Sequence, residues 1–94
     1  FLMTTEVAFN AELERYEIAV DGEFAGHVDA HDDGDVLRMP HPVVLEKFGG
    51  QGLAGVLVGA ALDDIRARGR MIAPRCPYIV AFLEKHPEYA DLEK

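Results

Sequence analysis

The alternation of apolar and polar residues predicts antiparallel strands in the first half of the chain. Residues 15–20 and 23–29 form two such strands around Asp21-Gly22, a pair typical of a two-residue hairpin turn. Residues 6–9 are a weaker strand candidate ahead of them. Alternate residues share a face in each strand of the hairpin: Tyr16, Ile18 and Val20 in the first, and Phe24, Gly26 and Val28 in the second.

Residues 36–44 form the next predicted strand, which contains Pro40 and Pro42. Proline has no backbone N–H, so these positions cannot donate to a neighbouring strand. The two prolines therefore tell against a fully paired central strand. An edge strand explains them.

After this strand, apolar residues recur at three- and four-residue spacing, which predicts an amphipathic main helix over residues 51–68. Asp64 and Arg68 can form an ion pair across one turn, and Gly69 suits the position after the helix end.

A short buried strand over residues 71–74 and a second helix between Pro77 and Pro87 complete the pattern. The order is strands first, then helix, strand and helix. This order predicts an α+β fold, a mostly antiparallel mixed sheet with a β-α-β-α C-terminal half.

Length and composition predict a single domain over residues 3–94, with Phe1 and Leu2 expected to be remnants of cloning. The net charge of −8 argues against nucleic acid or an anionic membrane surface as a partner. No apolar run is long enough to span a membrane. The single Cys rules out an internal disulfide and suits a reducing cytoplasm. Monomer and homodimer both remain open.

A glycine-rich loop, Gly49-Gly50-Gln51-Gly52-Leu53-Ala54, joins the proline-containing strand to the main helix. The first turn of a helix has N–H groups without internal partners, and glycines let an anion approach them, so this loop suits a phosphate or diphosphate. A plain, flexible helix start is the alternative. The loop lacks the Lys-Ser/Thr of a nucleotide-triphosphate loop and the acidic ribose partner of a dinucleotide fold.

Two side chains are candidates for chemistry. Cys76 precedes Pro77 and is expected at the N-terminal end of the second helix, where the thiolate form is favoured. His41 lies on the strand that leads to the glycine-rich loop and could act as a base. The alternatives are an inert buried thiol and a histidine satisfied by a backbone carbonyl. No spacing of His, Cys, Asp and Glu indicates a metal site.

Four motifs occur in one order over residues 16–92: His41…Val44, Gly50-Gln51-Gly52-Leu53-Ala54 followed by Leu57, Cys76-Pro77-Tyr78, and His86-Pro87-Glu88-Tyr89. Together they resemble the GCN5-related N-acetyltransferase superfamily, and most closely its very small single-domain branch.

The resemblance implies acetyl-CoA as cofactor and transfer of an acyl group to a primary amine of a small molecule or peptide. It implies that the cofactor diphosphate binds at the loop of Gly49, Gly50, Gln51, Gly52, Leu53 and Ala54. The pantetheine arm is then expected in a slot between splayed strands, along Val43 and Val44, with Cys76 and His41 as the catalytic residues.

The chain departs from the superfamily pattern at two positions. Gly49 stands where Gln or Arg is usual, and Leu83 stands where a Tyr usually protonates the leaving thiol. These departures leave open a covalent route through Cys76 and an acid or base role for Tyr78 or His41. They also leave open a CoA-binding or protein-interaction module with little transfer, and a domain without a ligand is a third possibility. The acceptor and the preferred acyl group are not specified by the sequence.

Overall fold

A computed structural model describes residues 4–94, so the expectations about Phe1, Leu2 and a domain start at Met3 lie outside the described residues. Within this range the elements follow in the order β1 (Thr5–Asn10), β2 (Arg15–Val20), β3 (Glu23–Asp29), β4 (His31–Asp32), β5 (Leu37–Met39), β6 (Val43–Val44), a 3₁₀ helix (Glu46–Phe48), α1 (Leu53–Ala67), β7 (Ile72–Pro74), α2 (Pro77–Lys85) and a second 3₁₀ helix (Pro87–Leu92). The predicted α+β order is confirmed.

The hairpin of β2 and β3 forms as the alternation predicts. Tyr16, Ile18 and Val20 are buried on one face of β2. Asp21 and Gly22 both have positive φ, 50° and 84°, as a tight hairpin turn requires. With β1 and β6 on its two sides, this hairpin forms a four-stranded antiparallel sheet in the order β1-β2-β3-β6.

The predicted face of Phe24 is wrong, because a β-bulge changes the register of β3. Ile18 pairs with Gly26 while the next residue, Ala19, pairs with Phe24, so Ala25 is an extra residue on this strand. Ala25 is fully buried and Phe24 is 39% exposed on the opposite face. An alternation pattern assumes constant register, and a bulge breaks that assumption.

The strand predicted over residues 36–44 is divided between two sheets. Its first part, β5, pairs in parallel with β7, and its second part, β6, pairs antiparallel with β3. Pro40 and Pro42 lie between the two parts, in a segment that joins no strand ladder. The last bond across the parallel pair runs from Arg75 N–H to the carbonyl of Met39, at 3.0 Å. Beyond that point β6 pairs with β3 while Cys76 begins α2, so the two segments separate as the predicted splay requires.

The main helix, α1, lies on the inward face of the four-stranded sheet and supplies much of the core. Its buried residues recur at helical spacing: Leu53, Leu57, Val58, Ala61, Leu62 and Ile65. The C-terminal segment packs against α1 and ends beside β7, where Lys94 N–H donates to the carbonyl of Ile72 at 3.1 Å. No helix within residues 4–94 has the length and apolar character to cross a membrane.

The C-terminal end of α1 is tied to its surroundings by side chains, and we call it the closed end (residues 63–69). The Tyr16 hydroxyl and the Arg68 guanidinium both donate to one carboxylate oxygen of Asp64, each at 2.6 Å. These bonds, the one from Tyr16 first, lower the pKa of Asp64. Burial and then the hydrogen bond to Asp64 raise the pKa of Tyr16 well above its usual value. Gly69, at φ 69°, ends the helix as predicted.

Candidate functional site

The gap between the splayed chains is bridged by His41 and Cys76, which the sequence identified separately. His41 follows β5 on one side, and Cys76 follows β7 on the other. His41 Nδ1 lies 3.3 Å from Cys76 Sγ, close enough for a proton to be shared. The His41 side chain is exposed, whereas Cys76 is only 7% exposed. The structure therefore pairs a sheltered sulfur with a nitrogen base that water can reach.

Cys76 is also the N-cap residue of α2. It has an extended backbone conformation, and its sulfur accepts the N–H of Tyr78 at 3.2 Å. Pro77 takes the first helical position, where its missing N–H costs nothing. The helix N-terminus and this N–H both direct positive potential toward the sulfur. This is the placement that the sequence predicted for Cys76.

Strand β6 presents one predicted residue to the gap through its backbone. Leu45 N–H donates to the carbonyl of Ala25 at 2.8 Å, toward β3. N–H directions alternate along an antiparallel strand, so the N–H of Val44 points the other way, into the gap. The Val43 side chain is 43% exposed, while its backbone pairs with His27. Of these two predicted residues, Val44 offers the free donor.

The glycine-rich loop divides into a bonded and a free part. The N–H of Gly49 is used internally, because it donates to the carbonyl of Glu46 at 3.0 Å. The N–H groups of residues 50–55 have no acceptor among residues 4–94. Leu53 faces the core and Ala54 is half-buried, so each offers the loop only its N–H. We call residues 50–55 the open end of α1.

The conformation of the open end suits an anion as large as a diphosphate. Gly50 and Gly52 have φ of 75° and 73°, in the left-handed region that favours glycine. A Cβ built on either would meet no atom within 4 Å, so the space above both is open. Gln51, between them, is exposed. The free N–H groups and the helix dipole supply the positive potential that such an anion needs.

A groove of about 450 Å³ continues from the open end between the two helices. Gly55 and Gly59 form its floor on α1, and Phe82 of α2 stacks on His86, the residue after this helix, with ring centroids 4.2 Å apart. Tyr89 closes the far side. Near the open end, the Tyr78 hydroxyl lies 3.7 Å from the position that a Cβ on Gly55 would take.

The sequence did not identify these groove residues as part of a site. The sequence predicts His86 as a cap of the second helix, Pro87 as its end and Phe82 as part of its apolar side, and none of these roles indicates a groove. The usable signal was the spacing of four residues between Phe82 and His86, which stacks two rings on one side of a helix. The matching spacing of Gly55 and Gly59 removes side chains from the facing helix.

Leu83 packs in the hydrophobic core and is 5% exposed, so its position brings no polar group to the gap. Tyr78 is the tyrosine beside Cys76, and its ring meets that of His41 edge-on at 6.5 Å between centroids. In the described part of the chain, no three or more His, Cys, Asp or Glu side chains are grouped to hold a metal ion.

Comparison with known proteins identifies the family of this chain. The sequence model of the GCN5-related N-acetyl-transferase family matches residues 15–92, which is most of the chain and includes every predicted site residue. A direct comparison with curated protein sequences gives no significant match. The chain therefore belongs to the GCN5-related N-acetyltransferase family.

Proposed function

We propose that this protein transfers an acetyl group from acetyl-CoA to a primary amine of a small molecule or peptide, with Cys76 and His41 at the reacting centre. The observation that carries the proposal is the 3.3 Å contact of His41 Nδ1 with Cys76 Sγ in the gap between splayed strands. Family membership supports acetyl transfer in general. The pairing of these two side chains supports a particular way of doing it.

Residues of the chain fit acetyl-CoA in three places. The free N–H groups of residues 50–55 would hold the diphosphate. The N–H of Val44, which points into the gap, would bind the carbonyl oxygen of the thioester. The groove between α1 and α2 has room and aromatic surface for a further part of the molecule. When bound, acetyl-CoA supplies the acetyl group as an activated thioester.

Cys76 and His41 then divide the work of acyl transfer. His41 takes the proton of the Cys76 thiol, and the sulfur attacks the acetyl carbonyl carbon. His41 returns that proton to the departing thiolate, which leaves the acetyl group on Sγ. The amine loses its extra proton to solvent and attacks this carbonyl, while His41 accepts a second amine proton and passes it to the Cys76 sulfur. Cys76 ends as the free thiol, and a second thiol or a metal is not required.

The charge of the chain is consistent with a cationic acceptor. The net charge of −8 favours the approach of a protonated amine and disfavours acidic acceptors. The Cys76 route also needs a free thiol, which a reducing compartment maintains.

Release of CoA from acetyl-CoA over a panel of primary amines tests the proposal, with acetylated product measured by mass spectrometry. We expect release that rises with amine concentration and falls by about 10² or more in Cys76→Ser. The intact mass of the protein after a short incubation should gain one acetyl group that Cys76→Ser lacks. Amine-dependent transfer that survives unchanged in Cys76→Ser would refute the role of Cys76. No transfer to any amine would refute the activity.

A CoA-binding or protein-interaction module with little transfer is the second candidate. The burial of Leu83 favours it, because the position where relatives carry a proton-donating Tyr has no polar group here. Two measurements, the melting temperature and the release of CoA, together separate the two candidates. Both predict that acetyl-CoA raises the melting temperature, since a ligand that binds only the native state stabilises it. Only the transferase couples that binding to amine-dependent release of CoA.

A further inference from the structure

We infer that this protein also hydrolyses acetyl-CoA to acetate and CoA when no amine is bound, with Cys76 as nucleophile and His41 as the base that activates water. This second activity rests on the proposed binding of acetyl-CoA. It differs from the proposed function in its acceptor, which is water, and it needs no acceptor pocket.

The pairing of Cys76 and His41 meets the requirements of a nucleophile and its base. Their 3.3 Å contact lets the imidazole take the thiol proton directly. The sulfur sits at the N-terminus of a nine-residue helix and accepts the N–H of Tyr78. These features belong to the chain itself and do not depend on an amine.

One backbone group can stabilise the oxyanion that forms in each step. The N–H of Val44 points into the gap because its neighbour Leu45 bonds to β3. A donor of this kind, held in place by a strand, is a main source of transition-state stabilisation in acyl transfer.

The exposure of His41 is the observation that points to water as the acceptor. Transferases protect a reactive acyl intermediate by closing over it and excluding water. Here the His41 side chain is exposed, and so are its neighbours across the gap and along the strand, Val43, Arg75 and Pro77. An acetyl group on Cys76 would therefore lie next to a base that water reaches freely.

The reaction balances in two steps. In the first, the S–C bond to CoA breaks as the bond from Cys76 Sγ to the acetyl carbon forms, and the thiol proton passes through His41 to the CoA thiolate. In the second, water attacks the acetyl carbon while His41 accepts one water proton. The Sγ–C bond breaks, acetic acid leaves, and His41 returns the proton to Sγ. No oxidant, reductant or metal takes part.

The experiment measures acetate and CoA by chromatography after the full chain is incubated with acetyl-CoA in amine-free buffer. Acetate is the necessary readout, because acetylation of the protein's own lysines also releases CoA but produces no acetate. We expect repeated turnover in the wild type. We expect the rate of acetate formation to fall by about 10² or more in His41→Asn and at least as far in Cys76→Ser.

Two features of the chain keep these variants interpretable. Serine is a preferred N-cap residue, so Cys76→Ser retains the start of α2. His41 is exposed, so its replacement leaves the core intact. His31→Asn is the matched control, because the His31 ring contacts Asp29 and Glu14 and takes no part in the gap. Its acetate rate should equal that of the wild type.

Each outcome decides the inference separately from the proposed function. Acetate formation no faster than in protein-free buffer, or equally fast in Cys76→Ser, overturns the hydrolysis. If amine-dependent transfer is nevertheless present, the proposed function survives alone. Acetate formation that needs Cys76 and His41, without transfer to any amine, supports the hydrolysis and removes the amine transfer. S-acetylpantetheine serves as a second probe, since it carries the thioester without the diphosphate. It should be hydrolysed by the same two residues at a higher KM.

Discussion

The polar groups at the two ends of α1 differ in whether they are hydrogen-bonded within the protein. At the closed end, Asp64 accepts from Tyr16 and Arg68, and Arg70 N–H returns to the carbonyl of Ile65 at 3.1 Å. At the open end, the N-cap residue Gly52 has no side chain, and the N–H groups of residues 50–55 have no acceptor among residues 4–94. One helix thus has an end bonded within the protein and an end available to a ligand.

This difference suggests a division between stability and binding along a single helix. Unpaired polar groups are tolerated where solvent or a ligand can reach them, and they are costly where they are buried. Residues of the closed end should therefore change the free energy of unfolding and leave affinity for acetyl-CoA alone. Residues of the open end should change affinity, whatever they do to stability.

The largest expected effect is at Asp64. Asp64→Ala leaves the hydroxyl of Tyr16, a residue only 1% exposed, without its acceptor. The cost of an unsatisfied buried group is about 1–3 kcal/mol in the free energy of unfolding. Urea unfolding measures it, and titration with CoA should give an unchanged Kd.

Asp35→Ala is the control for that variant, because the Asp35 side chain is 86% exposed and should change stability by less than about 0.5 kcal/mol. Equal stability of Asp64→Ala and Asp35→Ala would contradict the closed end as described. A weaker affinity for CoA in Asp64→Ala would break the division between the two ends.

A matched pair of glycines gives the next effect. Gly52 and Gly69 have nearly the same φ, 73° and 69°, at opposite ends of α1, and neither has an atom within 4 Å of a built Cβ. Replacing either with Ala places a Cβ in the left-handed region, at a cost of about 1–2 kcal/mol. The two losses of stability should be similar in thermal or urea unfolding.

Only the variant at the open end should alter binding. We expect Gly52→Ala to raise the Kd for CoA, because the loop must shift to relieve the strain and the shift moves its N–H groups. Gly69→Ala should bind as the wild type does. If both variants bind CoA equally well, the N–H groups of the loop do not hold the diphosphate.

The smallest expected effect is a loss of stability at alkaline pH from the closed end. The hydrogen bond to Asp63, with a contribution from burial, raises the pKa of Tyr89 to about 12. In the unfolded chain a tyrosine titrates near pH 10. The hydrogen bond of Tyr89 therefore stabilises the folded protein fully below about pH 10. Its contribution is lost as the pH rises toward the pKa of Tyr89 in the folded state.

Tyr89→Phe removes this titration, so the difference in stability between wild type and variant should shrink between about pH 10 and pH 12. Urea midpoints across that range measure it. A difference that stays constant with pH would show that the hydroxyl titrates alike in both states. CoA binding by Tyr89→Phe at neutral pH tests separately whether Tyr89 also contributes to binding in the groove.

Local sequence patterns predicted the elements of this fold well, because their causes are local. The Asp21-Gly22 turn, the end of α1 at Gly69 and the N-cap position of Cys76 each depend on residues within a few positions. The face of Phe24 could not be predicted, because the bulge at Ala25 is a property of strand pairing. A Cβ at Gly26 would overlap the carbonyl oxygen of Val43, and that constraint also exists only once the strands are paired.

The candidate site was predicted in its parts and not in its assembly. The sequence named His41 and Cys76 but gave no distance between them, since the two residues meet only after β5 and β7 pair. The family resemblance implied that both Val43 and Val44 line the gap, whereas the register gives Val44 alone a free N–H there. Gly49 was grouped with the loop, although its N–H is bonded to Glu46.

The prolines between β5 and β6 have a consequence for how copies of this protein meet one another. A parted pair of strands leaves unpaired main-chain edges, which in most proteins invite a strand from a second molecule and begin aggregation. Pro40 and Pro42 have no N–H to offer such a strand. The prolines thus remove two of the donors that a strand from another copy would need to pair along this edge.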